Sequence, residues 1–233
     1  MLKHRLSLLL LFLSLLTSSI STLAQDNVIE VEKDLESWSS ASLNYSINSN
    51  WKVDLNQQLR LKDNSNTVDV YFTQLGVKYK FKYNISLGAG LRYMRENDTK
   101  GKIQGYENHL RWSTDINYKL PINRFSLKYR LRYQSKTELN VPTAEARTNF
   151  RFKTGLSYDI KRSNLTPVLG VEMFHNADSE KDISKTRFTL GLSYVMKKAG
   201  EVVLFYGVEN KRSDLSPKET QIIGLKYEFD LFD

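Results

Sequence analysis

The side chains of this sequence that could carry chemistry are three histidines, scattered serines and a dense array of charges; cysteine is absent. His109 and Ser113 share one side of an alternating stretch, a base and a hydroxyl on a common face. Four residues along a strand span about 13 Å, whereas a nucleophile and its base must lie within hydrogen-bond reach. His4 falls in an apolar leader and His175 opens a charged loop, so the histidines do not converge. Without thiolates, the acidic pairs Asp178/Glu180 and Glu228/Asp230 read as solvated faces rather than metal ligands. These residues predict no enzyme, no metal and no cofactor. The one catalytic alternative is a lipid-modifying site assembled from distant strands, which spacing along one chain does not test.

What remains is charge repeated at a spacing of two. Between Gln104 and Tyr158, Arg111, Lys128, Arg130, Arg132, Arg151 and Lys153 fall on the polar side of their alternating stretches, with Asp115 as the nearby acid. After Leu165 the polar side carries Glu172, Glu209, Glu228 and Asp230, joined by Asp54 and tempered by Arg187 and Lys226. If strands place this side inside a closed sheet, a basic wall faces an acidic one. In an open pore such walls set up a transverse field that selects polar or anionic solutes. In a narrow barrel they pair across the lumen and plug it. We therefore take Arg111, Asp115, Lys128, Arg130, Arg132, Arg151, Lys153, Glu172, Glu209 and Glu228 as candidate pore-lining residues. Two functions follow: a small channel, or a structural or interaction barrel whose lumen is plugged.

The elements that must position these charges are strands. Ile223, Leu225, Tyr227, Phe229 and Leu231 alternate with Gly224, Lys226, Glu228 and Asp230, giving one greasy and one wet side. The same alternation recurs from Leu35 onward, as in Trp51–Leu61, Ile85–Tyr93 and Phe125–Gln134. Short connections (48–50, 80–84, 119–124, 160–165, 196–201) alternate with longer charged ones (62–67, 95–105, 135–147, 175–185, 209–220). That is the pattern of a transmembrane barrel with short periplasmic turns and longer outer loops. The expected fold is all-β, a single antiparallel transmembrane β-barrel. Eleven clear segments and an even-number rule predict about twelve strands, with Val28–Lys33 as the extra one and ten as the alternative. A tight hairpin at 119–124 would set Lys128 opposite Asp115, Arg132 opposite Arg111 and His109 opposite Gln134. The next hairpin would bring Arg130 beside Arg151 or Lys153.

Lys3 and Arg5, the apolar run Leu6–Leu16 and the small residues before Gln25 form a secretory leader, with cleavage expected after Ala24. Residues 25–233 are then one barrel domain. Low hydrophobicity (40%) with thirteen tyrosines suits a polar interior and aromatic girdles better than a dry core. The formal charge of +8 would admit nucleic acid, but export and strand patterning argue against it. The expected location is the bacterial outer membrane. The partners expected there are outer-membrane lipid and, through the aromatic C-terminal strand, the barrel-assembly machinery.

Leu35–Ile47, Trp51–Leu61, Val70–Lys80 and Leu87–Glu96 resemble an uncharacterised family of Bacteroidetes outer-membrane β-barrels, a domain of unknown function (number 2490). The resemblance covers nearly all of the chain after the leader. It implies the barrel and its location, and no chemistry.

Overall fold

A computed structural model describes residues 31–99, 104–177, 183–197, 199–212 and 217–231, which form one closed barrel. Its strands are β1 (Glu32–Ser46), β2 (Trp51–Lys62), β3 (Thr67–Lys80), β4 (Ile85–Asp98), β5 (Gly105–Ile122), β6 (Phe125–Glu138), β7 (Arg147–Tyr158), β8 (Leu165–Asn176), β9 (Lys185–Met196), β10 (Gly200–Lys211) and β11 (Lys218–Leu231). Each pairs antiparallel with its sequence neighbours. The expected leader lies outside the described residues.

The eleven strands match the eleven segments read from the sequence and lie close to the expected twelve. Glu32 and Lys33 open β1 instead of forming a strand of their own, and residues 28–30 lie outside the described residues. In an up-and-down meander of eleven, the first and last strands run the same way. β1 and β11 accordingly close the barrel in parallel, from Glu32↔Lys218 to Tyr45↔Leu231. Parallel hydrogen bonds slant and are slightly weaker per residue, but they leave no free edge to satisfy.

Outward positions are large and apolar, with Leu75 60% and Leu190 57% exposed. Aliphatic residues fill the middle of this surface and aromatics ring both ends. At the short-turn end Trp51 contacts Tyr79 (centroids 4.8 Å), Tyr79 contacts Phe81 (4.7 Å) and Phe125 contacts Tyr158 (4.8 Å). At the other end Trp112 contacts Tyr133 (5.2 Å), which contacts Phe150 (5.3 Å). From Phe150 to Tyr158 the strand rises about 26 Å, or roughly 20 Å of height at the usual barrel tilt.

Two connections differ from expectation. Asp63–Asn66 is a tight turn, not a long loop: Asp63, Asn64 and Ser65 all take the left-handed conformation (φ 55, 55 and 63°). It is tied to β1, the Asn64 amide donating to Asp34 (3.0 Å) and Ser37 Oγ to Ser65 Oγ (2.6 Å). The β5–β6 hairpin turns at Asn123–Arg124, because β5 runs through Pro121 to Ile122 at the strand end, where a missing N–H is tolerated. Every pair of that hairpin is thereby offset by four residues from the expected register. Asp115 faces Arg132 rather than Lys128, Arg111 faces Lys136 rather than Arg132, and His109 faces Glu138 rather than Gln134. The next hairpin matches expectation, with Arg130 beside Lys153 and Arg132 beside Arg151.

Candidate functional site

Because strand side chains alternate, the polar parity of every strand points into the barrel, and the candidate residues meet there. Arg132 grips both oxygens of Asp115 (2.5 and 2.6 Å). Glu172, 4% exposed, accepts from Arg130 and Arg151 (2.7 Å each), with Arg187 at 3.4 Å. Glu209 accepts from Arg187 and from Lys185 (2.9 Å). Nearer the loop end, Lys136 donates to Glu96 (2.7 Å), and His109 lies between Glu96 (3.3 Å) and Glu107 (3.1 Å). His175, expected to open a loop, is still in β8, its ring stacked near Phe150 (6.2 Å).

The charge pattern gives no sign that Phe72, Phe174 and Phe205 join Trp38 inside the lumen. Trp38 (7% exposed) and Phe72 (2%) are buried inside, as are Phe174 and Phe205. Guanidinium groups lie over their faces. Arg92 covers Phe72 at 3.5 Å, and Arg60 lies 5.6 Å from Phe72 and 3.8 Å from Trp38. Arg187 lies 4.6 Å from Trp38 and 5.2 Å from Phe174, which Arg151 covers at 4.6 Å. The alternating chain Arg92–Phe72–Arg60–Trp38–Arg187–Phe174–Arg151 thus follows the inner wall from β4 to β1, steps from β1 to β9 at Trp38–Arg187, and continues to β7. Each such contact contributes about 0.5–2 kcal/mol, more where water is excluded.

The signal for this filling was present as aromatics on the wrong parity. Phe72 shares a face with Gln74 and Lys78, and Phe205 shares one with Glu209. Inward glycines make the room. Phe205 pairs with Gly191 on one side and Gly224 on the other, and Gly224 pairs with Trp38. A Cβ at Gly224 would collide with the Phe205 ring. Trp38 meets Phe205 edge-on (6.4 Å), while Trp51 and Trp112 face outward.

Toward the short-turn end the filling gives way to a cavity of about 430 Å³. Lys128, Arg130, Arg132, Arg151, Lys153, Glu172 and Glu228 line it; Arg111, Asp115 and Glu209 do not. Arg111 is 8% exposed and directly opposite Arg92, and its Nη2 is buried without a hydrogen-bond partner. The expected division into a basic and an acidic wall is therefore replaced by interleaving. Glu172 sits among arginines, and the cavity wall is basic nearly all round. Among the described residues, no three His, Asp or Glu side chains converge as metal ligands.

An eleven-stranded meander closed on itself, greasy outside and lined with charged and aromatic side chains inside, is an up-and-down β-barrel. The chain belongs to the family described as Protein of unknown function (DUF2490), whose model matches residues 35–215. Among solved structures, the beta domain of the Bordetella autotransporter Brka is similar, at 11% identity and a TM-score of 0.46. That match covers 76% of this chain and 82% of that one. No curated protein matches.

Proposed function

We propose that this protein is an outer-membrane barrel, its short turns toward the periplasm, whose lumen is closed by its own side chains. It then works as a structural or interaction barrel and not as an open channel. The observation that carries the closed-lumen reading is the arginine–aromatic chain from Arg92 to Arg151, which projects inward from seven strands, bridges β1 to β9 and is held by Glu172 and Glu209. The outward aliphatic band between two aromatic rings supports lipid as its surroundings. The aromatic C-terminal strand fits recognition by the barrel-assembly machinery. This reading assigns His109, whose Nε2 lies between Glu96 and Glu107, no catalytic role.

Planar-bilayer recording of the purified protein tests closure, with outer-membrane fractionation and a heat-dependent gel shift to show insertion and folding. The expected result is a heat-modifiable outer-membrane protein with no steady conductance. Steady, anion-selective conductance from a folded sample would overturn the closed lumen in favour of the channel.

A further inference from the structure

The cavity beneath the filled layer carries far more positive charge than the barrel neutralises. Nine of its lining side chains are basic and two are acidic. Arg132 is matched by Asp115, and Arg130, Arg151 and Arg187 converge on Glu172. Arg60, Arg92, Lys128, Lys153 and Lys226 have no ion pair among the described residues. Arg92 is buried, yet among the described residues the only acceptor it meets is the neutral Gln74 carbonyl (2.9 and 2.6 Å). Arg60 has only the Gln58 carbonyl (3.1 Å), and the Nε atoms of Arg60 and Arg130 are buried without partners. Lys153 on β7 and Lys226 on β11 reach the same cavity from separate strands, and Lys128 is exposed at its short-turn end.

Unpaired cations held together away from bulk water repel one another and lack their full solvation. Carboxylates on neighbouring strands would relieve this, but the inward positions there are held by Gly155, Gly170 and Gly191 instead. A side chain at Gly155 would meet nothing closer than 3.7 Å, while neighbours crowd Gly170 and Gly191, so no acid stands at any of the three. Guanidinium forks pair bidentately with planar or tetrahedral oxyanions, and lysines add point charges around them. A volume of about 430 Å³ is of the size that holds small ligands. We propose that this cavity binds a small, freely diffusing oxyanion carrying two or more phosphate or carboxylate groups, admitted from the short-turn end. A lipid headgroup shares that chemistry, but its acyl chains would have to lie against charged walls. The proposal rests on the lumen being closed above the cavity, which makes it a pocket and not a passage.

Titration calorimetry of the purified protein in detergent at low salt tests it, with sodium pyrophosphate and citrate as probes and dihexanoyl phosphatidate in parallel. Pyrophosphate or citrate is expected to bind one to one, to weaken as salt rises, and to raise the thermal unfolding midpoint. Lys153→Gln with Lys226→Gln breaks no ion pair, so the variant should fold, and its affinity should fall at least tenfold. Lys80→Gln with Lys82→Gln, outside the cavity, should keep wild-type affinity. A folded wild type that binds neither soluble probe overturns the proposal, as does binding of the phosphatidate alone. Binding lost equally in both variants would show general charge attraction and would overturn the assigned site. Failure here is separable from failure of closure: a conducting barrel that binds loses only its closure, and a silent barrel that does not bind loses only the site.

Discussion

Arg132 and Asp115 stand directly opposite one another on β6 and β5, and the guanidinium holds both carboxylate oxygens inside the lumen. Removing one partner of a buried pair leaves the other desolvated and unmatched, which costs more than the pair contributes. Asp115→Ala should therefore destabilise the barrel by roughly 3–5 kcal/mol. The double change Asp115→Leu with Arg132→Met should recover most of that loss. Urea unfolding followed by tryptophan fluorescence measures both, and an additive double variant would show that the two residues do not pair.

A second prediction concerns the space beside Phe205. Gly224→Ala puts a methyl group into the Phe205 ring, and overpacking of this kind costs about 1–3 kcal/mol. Adding Phe205→Leu should relieve the clash, so the double variant should be more stable than Gly224→Ala alone. The midpoint of the heat-dependent gel shift reports the order of stabilities.

Closure by β1 and β11 is testable because the chain has no cysteine. Ser39 and Leu225 are parallel partners, whereas Ser39 and Leu59 are antiparallel partners. Ser39→Cys with Leu225→Cys should form a disulfide under mild oxidation about as completely as Ser39→Cys with Leu59→Cys. A twelfth strand between β1 and β11 would separate the first pair by about 9.5 Å, beyond disulfide reach. Non-reducing gels of the denatured protein distinguish the two closures.

The outer face gives a fourth prediction. Leu204 faces outward and is 57% exposed, while Ser157 lines the cavity. Leu204→Arg should cost roughly 2–4 kcal/mol in a bilayer if it sits near the midplane, and Ser157→Glu, which brings an acid to the basic cavity, should be mild. Equal losses in refolding titrations into lipid vesicles would show that the outer surface does not face lipid.

The inward and outward faces were legible in the sequence because a strand has a period of two, a local property that needs no knowledge of partners. That is why the charges at Arg111, Lys128, Arg130, Lys153 and Glu172 were expected inside, and why the offset in the β5–β6 hairpin did no harm to that assignment. An offset of four is even, so every side chain kept its face while every partner changed. Partners depend on where the chain turns, and Pro121 lies within β5 rather than in the turn. Strand number depends on how β1 meets β11, a contact between residues nearly the whole barrel apart in sequence. The filling of the lumen is non-local in the same way. Trp38, Phe72, Phe174 and Phe205 read one by one as exceptions to an alternating pattern. Only closure of the sheet lays Arg60, Arg187 and Arg151 over them and interleaves the two expected walls of charge around a basic cavity.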